Sequence, residues 1–134
     1  MSRPHAVTLV EVGPRDGLQI ETAVVPTDRK LALIAQLAAA GLKQIQVTSF
    51  VHPDKVPQMA DAEKLIGRLP RDDGVLYTAL VLNGQGLARA MASGIAAVEI
   101  SLSASDAHSR KNSGLSRHEA LELGLQLIDR AVSA

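Results

Sequence analysis

Short apolar runs alternate with helix-patterned segments along all 134 residues, and that alternation restricts the fold more than any other feature. Ala6–Val12 reads as a strand. A helix is expected from Thr27 to Ala39, with Leu31, Ile34, Leu37 and Ala38 on one face, Pro26 and Thr27 at its start and Gly41 at its stop. Gln44–Ser49 is the second strand. Ala60–Leu69 is the second helix, closed by Pro70, and Arg71-Asp72-Asp73-Gly74 is a turn. Val75–Leu82 is the third strand. Asn83 caps a third helix that ends near Gly94, and Ile95–Leu102 is the fourth strand. A polar loop, Ser103–Leu115, leads to a last helix that opens on Ser116-Arg117-His118-Glu119, the pattern of a capping box. There Leu121, Leu125 and Ile128 are spaced for one buried stripe.

A faint repeat underlies the alternation. Ala40–Thr48 lies over Ser93–Ser101 at an offset of 53 residues, each copy reading as helix stop, glycine turn and strand. Strands alternating with helices give an α/β fold with a parallel sheet and right-handed crossovers. Four such units are the first half of a (β/α)8 TIM barrel, a half-barrel without an internal linker. The final helix ends at Asp129–Ala134 without a Gly, Pro or cap. Residues 1–134 are therefore expected to be the N-terminal half of one barrel domain, truncated at its C-terminus. A half-barrel alone leaves an unpaired strand edge, so it is expected to dimerise, aggregate or fold weakly.

Composition narrows the function. Hydrophobic residues make up 46% and charged residues 21%, the balance of a water-soluble globular domain. Fourteen basic residues meet fourteen acidic ones, and no basic run exceeds two, which argues against a nucleic-acid surface. Phe50 and Tyr77 are the only aromatics, too few for a base-stacking platform. The absence of cysteine excludes a thiol nucleophile and a disulfide scaffold within this segment. No apolar stretch is long enough to span a membrane, and the N-terminus lacks an export signal. A cytoplasmic enzyme is expected.

The chemistry concentrates in Val10-Glu11-Val12-Gly13-Pro14-Arg15-Asp16-Gly17-Leu18-Gln19. Gly13-Pro14 cannot continue a central strand, so Arg15 and Asp16 fall at its C-terminal end, where β/α barrels place their active sites. The Asp16 carboxylate suits a hard divalent cation, and it equally suits a turn cap before Gly17. The Arg15 guanidinium suits a developing oxyanion, and it equally suits a surface ion pair with Glu11 or Glu21.

This string resembles the opening motif of the 3-hydroxy-3-methylglutaryl-CoA lyase family, a group of metal-dependent carbon–carbon lyases built on a barrel. Thr48-Ser49-Phe50-Val51, Val56-Pro57-Gln58-Met59-Ala60-Asp61, and Ala104-Ser105 leading to Lys111-Asn112 fit the same family in the same order. The resemblance implies that Asp16 binds Mg²⁺ or Mn²⁺, that Arg15 stabilises an enolate oxygen, and that Gln19 lies close to the substrate. The family completes its metal shell with a His-x-His pair and an Asn from later strands. This chain has no His-x-His, and His5, His52, His108 and His118 are expected on loops or exposed turns.

Gln46 departs from the pattern. The family usually carries a catalytic Glu there, and an amide cannot titrate, although it can orient a substrate or a water. Gln46 is thus read with Arg15 and Asp16 as part of the catalytic set. Substrate binding is read for Arg15, Gln19 and Ser49. Glu99 occupies the position equivalent to Gln46 in the repeat, and if it faces the barrel interior it needs a partner. Arg110 or Lys111 could meet coenzyme A phosphates or simply face solvent.

The resemblance implies a metal-assisted retro-Claisen cleavage of 3-hydroxy-3-methylglutaryl-CoA, or of a related 3-hydroxy-acyl-CoA, by a protein that is homo-oligomeric when full length. This segment alone is expected to be inactive. Two alternatives stay open: a condensing synthase of the same barrel group, and a half-barrel binding module without catalysis.

Overall fold

The computed structural model describes residues 4–134. Four strands form one parallel sheet in the order β1-β2-β3-β4, with β1 at Val10–Glu11, β2 at Gln44–Ser49, β3 at Leu76–Val81 and β4 at Ala97–Ile100. The helices are α1 (Thr27–Ala39), α2 (Ala62–Ile66), α3 (Gly84–Ser93), α4 (Asp106–Ser113) and α5 (Arg117–Val132). Sequential parallel strands joined by helices are the expected β/α arrangement. No helix among the described residues is long and apolar enough to cross a membrane.

Period-2 alternation sorts the strand residues. Ile45 and Val47 of β2 and Tyr77 of β3 pack with Ile34 of α1 and Leu65 of α2. Ala79 and Val81 of β3 pack with Phe50, Ile66, Leu87 and Leu127, joined by Val98 and Ile100 of β4. These two apolar clusters form the layer between sheet and helices. The intervening residues Gln46, Thr78 and Glu99 consequently face the opposite side, the interior of the barrel curve.

Several elements differ from expectation. Strand β1 is confined to the two residues that find partners, Val10 opposite Gln44 and Glu11 opposite Ile45; Val7 and Leu9 stay exposed. The second helix is shorter than Ala60–Leu69 and follows a 3-10 turn at Pro57–Met59. The polar segment Ser103–Leu115 contains α4, because Ser105 caps it by accepting from His108 N and Gly114 closes it at φ 76°. The Leu121, Leu125 and Ile128 stripe is about half exposed rather than buried. Helix α5 instead turns Ala120, Gly124 and Leu127 inward, since a residue without a Cβ admits the Leu102 side chain. The Ser116–Glu119 capping box and the Asn83 cap form as expected.

Polar ties hold the loops at the C-terminal ends of the strands. The fully buried Lys30 ammonium donates to Asp61 Oδ1 and to the Gln58 carbonyl, both at 2.5 Å, while Thr27 donates to Asp61 Oδ2 at 2.7 Å. A buried charge is tolerable only when paired and hydrogen-bonded in this way. Gln58 Nε2 donates to the Glu21 carbonyl at 2.7 Å, joining the loop after β2 to the loop after β1. Arg89 of α3 pairs with Glu63 of α2 at 2.7 Å, donates to the Val51 carbonyl, and lies 5.4 Å from the centre of the Phe50 ring.

Two predictions follow from this packing. A Cβ on Gly86 would sit 2.5 Å from the Phe50 carbonyl oxygen, whereas one on Gly84 would meet only the flexible end of Arg130 at 3.0 Å. Gly86→Ala should therefore destabilise the intact protein by about 1–3 kcal/mol in denaturant melts, with Gly84→Ala costing much less; equal costs would refute the close-approach account. The hydrogen bond from Arg89 holds the Glu63 carboxyl below its usual range. That stability is present above the ordinary carboxyl pKa and is lost as pH falls through the lowered one. Glu63→Gln should thus weaken the protein at neutral pH and flatten the acid limb of its stability curve, measured by melts from neutral pH downward.

Candidate active site

The chain leaves β1 through one π-helical turn, Gly13–Gly17. Pro14 sits in its first positions, where a missing N–H costs nothing, and both Arg15 N and Asp16 N donate to the Val12 carbonyl, at 3.0 and 2.7 Å. Such single turns recur at functional sites because they re-aim consecutive side chains. Here the turn directs Arg15 across to β2, where its Nε donates to Gln46 Oε1. Its Nη1 donates to Asp16 Oδ1 at 2.7 Å. The Arg15 side chain is only 16% exposed, while that of Asp16 is 62% exposed. Neither Glu11 nor Glu21 pairs with Arg15; Glu11 instead accepts from Gly13 N at 2.6 Å.

The chain of polar contacts continues inward. Gln46, fully buried, donates from Nε2 to Glu99 Oε2 at 2.5 Å, and Thr78 donates to Glu99 Oε1 at 2.5 Å. Arg15, Gln46, Thr78 and Glu99 therefore form one hydrogen-bonded strip over β2, β3 and β4. Glu99 has the partners that its interior position demands.

A bulge in β2 sets the next row. Gln46 lies opposite Thr78, but Thr48 lies opposite Ala79, so Val47 is the extra residue. Thr48 is thereby turned to the helix side, where its hydroxyl meets Met59 Sδ at 3.6 Å. Ser49 pairs with Leu80, which pairs with Glu99, so Ser49 joins the inner row. Among the described residues its hydroxyl is buried without a hydrogen-bond partner, and so is Gln19 Oε1. Leaving such a group unmade costs about 1–3 kcal/mol, a cost a polar ligand would remove.

The other candidates stay apart from this strip. Arg110 pairs with Asp106 within α4 at 2.9 Å. His5, His52, His108 and His118 are all exposed. His108 bonds Ser103 at 2.7 Å and Asn112 at 3.2 Å beside a cavity of about 360 Å³ between β4, α4 and α5, which none of Arg15, Asp16, Gln46 or Glu99 lines. Among the described residues no three His, Cys, Asp or Glu side chains cluster as a metal site. Asp16 fits a hard cation as a single exposed carboxylate ligand, with one oxygen shared with Arg15.

Sequence reasoning missed Thr78, the bulge and the Lys30–Asp61 tie. Thr78 left one signal, a lone polar residue within the apolar run Val75–Leu82. The bulge left none, because Val47-Thr48-Ser49 reads as ordinary strand.

Four parallel β/α units with an arginine–aspartate pair at the strand ends and a polar inner face define half of an α/β barrel. The sequence profile of the HMGL-like family matches residues 6–134, and the chain belongs to that family. It is 42% identical over 134 residues to the hydroxymethylglutaryl-CoA lyase YngG of Bacillus subtilis, covering 100% of this chain and 45% of that protein. The crystal structure of the Bacillus subtilis HMG-CoA lyase superimposes with a TM-score of 0.91 at 42% identity, over 99% of this chain and 45% of its own. An HMG-CoA lyase from Acinetobacter baumannii, in complex with coenzyme A and 3-methylmalate, superimposes with a TM-score of 0.85 at 33% identity, over 92% and 40%. The chain thus spans less than half the length of the relatives it matches, and its four units correspond to half of their barrel.

The unpartnered hydroxyl gives a prediction. Ser49→Ala removes a buried group that bonds nothing among the described residues, so stability should hold or rise by up to about 1 kcal/mol. A loss of more than about 1 kcal/mol in denaturant melts would mean that Ser49 serves the fold instead of a ligand.

Proposed function

We propose that the intact protein cleaves 3-hydroxy-3-methylglutaryl-CoA, or a related 3-hydroxy-acyl-CoA, to acetyl-CoA and acetoacetate or a related ketone product. The observation that carries this reading is the Arg15 guanidinium held by Gln46 beside an exposed Asp16, at the C-terminal end of the strands. Relatives named as HMG-CoA lyases, one of them in complex with coenzyme A, support the substrate class.

Cleavage breaks the bond between the hydroxyl-bearing carbon and the carbon next to the thioester. The hydroxyl loses its proton and becomes the ketone carbonyl. The electron pair of the broken bond passes to the thioester fragment as an enolate, which a proton then quenches. Arg15 faces the charge that develops on the enolate oxygen, and its fixed position means little reorganisation is needed as that charge grows. Gln46 orients Arg15 and cannot itself accept the proton, because an amide does not titrate. The Ser49 hydroxyl and Gln19 Oε1 offer the unused hydrogen-bonding groups that a substrate carboxylate and hydroxyl would meet. A divalent cation, Mg²⁺ or Mn²⁺, would be held by Asp16 and supplies Lewis-acid polarisation of substrate oxygens when bound. Its remaining ligands would come from other groups of the intact protein or from substrate, since among the described residues Asp16 is a single carboxylate with no metal-ligating cluster around it. We further propose a cytoplasmic homo-oligomer; relatives named cytoplasmic support the compartment, while others are named mitochondrial.

The test uses the intact protein and a coenzyme A thioester assay. Arg15→Gln should lower kcat by about 100–1,000-fold with a far smaller change in KM, as for loss of one oxyanion-stabilising donor. Asp16→Asn should weaken Mn²⁺ binding followed by electron paramagnetic resonance. Near-normal turnover in the first variant, or unchanged Mn²⁺ affinity in the second, would refute the corresponding role.

A further inference from the structure

We propose that Glu99 is a positioning residue for Arg15, acting through the amide of Gln46. The proposal rests on the lyase reading for its kinetic consequence, but its structural content stands on the contacts themselves. A primary amide has a donating end and an accepting end. In Gln46 the accepting end faces the Arg15 Nε–H and the donating end faces the Glu99 carboxylate, at 2.5 Å. Turning the amide over would set its NH₂ against the guanidinium N–H and its oxygen against the carboxylate. Both contacts would then be repulsive inside a site where Gln46 is 1% exposed. The negative charge of Glu99 therefore selects one of two amide orientations, and that orientation supplies the acceptor that aims Arg15.

Thr78 completes the arrangement from the strand between. Its hydroxyl donates to the other carboxylate oxygen of Glu99 at 2.5 Å and fixes the plane of the carboxylate. Thr78 contributes no bond to Gln46, so the donating end of the amide depends on Glu99 alone among the described residues. Glu99 and Gln46 are 53 residues apart, the offset of the internal repeat, so two equivalent strand positions meet across the sheet. The line of contacts runs Glu99, Gln46, Arg15, Asp16, alternating carboxylate, amide, guanidinium and carboxylate.

The test compares Glu99→Leu with Glu99→Gln in the intact protein. Glu99→Leu leaves the Gln46 NH₂ without a partner and frees the amide to turn; kcat should fall about 100-fold while KM changes less than about twofold, the signature of a misaimed group. Glu99→Gln can still accept from Gln46 through its own oxygen and donate to Thr78, so it should recover kcat to within about fivefold of the parent. A second readout does not use activity. In protein labelled with ¹⁵N-arginine, the Arg15 Nε–H resonance, assigned by its loss in Arg15→Gln, should be exchange-protected in the parent and in Glu99→Gln and unprotected in Glu99→Leu. Parent-like kcat in Glu99→Leu, an unchanged Arg15 resonance in that variant, or equal defects in both variants would overturn the proposal. If the parent does not cleave the thioester, the lyase reading fails and the Arg15 resonance still decides the positioning role. If Glu99→Leu does not fold, Glu99→Asp, which withdraws the carboxylate by one methylene, gives the same two readings.

Discussion

One buried amide joins Arg15 to the polar side chains on the inner face of the sheet. Gln46 is shut away from water, so both ends of its side chain need partners. It finds a cation on one side and an anion on the other. Charge-assisted bonds are the strong ones, and here they also fix direction, because only one orientation of the amide satisfies both neighbours. The consequence spreads outward: Arg15 is immobilised, Asp16 is held beside it, and the sheet's inner face carries a continuous strip in place of scattered polar residues.

The opposite face is built from the other half of the strand alternation. Ile45, Val47, Tyr77, Ala79 and Val81 bury against the helices in two apolar clusters. Those clusters fix where the strands lie, and the strands fix where Gln46, Thr78 and Glu99 point. The loops above are secured differently. Lys30, Asp61 and Thr27 form a buried polar tie, Gln58 joins two neighbouring loops, and Arg89 links two helices to the end of β2. Burying an ion pair contributes little net stability, but breaking one is expensive, so such ties specify a single loop arrangement. The mouth where Arg15 and Asp16 sit is thereby framed by rigid connections.

The bulge at Val47 shows how a small irregularity changes chemistry. Strict alternation from Gln46 would have put Thr48 on the inner face and Ser49 among the helices. One extra residue reverses both, sending Thr48 to Met59 and Ser49 to the row of Leu80 and Glu99. The hydroxyl that arrives there is buried and has no hydrogen-bond partner among the described residues.

By itself the sequence determined the β/α alternation, the helix stops and caps, and the location of Arg15 and Asp16 at a strand end. Each of these is local: Gly41 and Gly94 end helices by adopting positive φ, Asn83 and Ser116 cap through neighbours three residues on, and Gly13-Pro14 stops a strand by its own geometry. The lengths of β1 and α2 and the outward stripe of α5 were misread, because they depend on which neighbour is present to pair or pack. Only the tertiary structure decided that Gln46 lies between Arg15 and Glu99, that Thr78 belongs to the strip, and that Ser49 faces inward. Those contacts join residues 21 to 53 positions apart, and one shift of register between strands would place the same side chains on opposite faces.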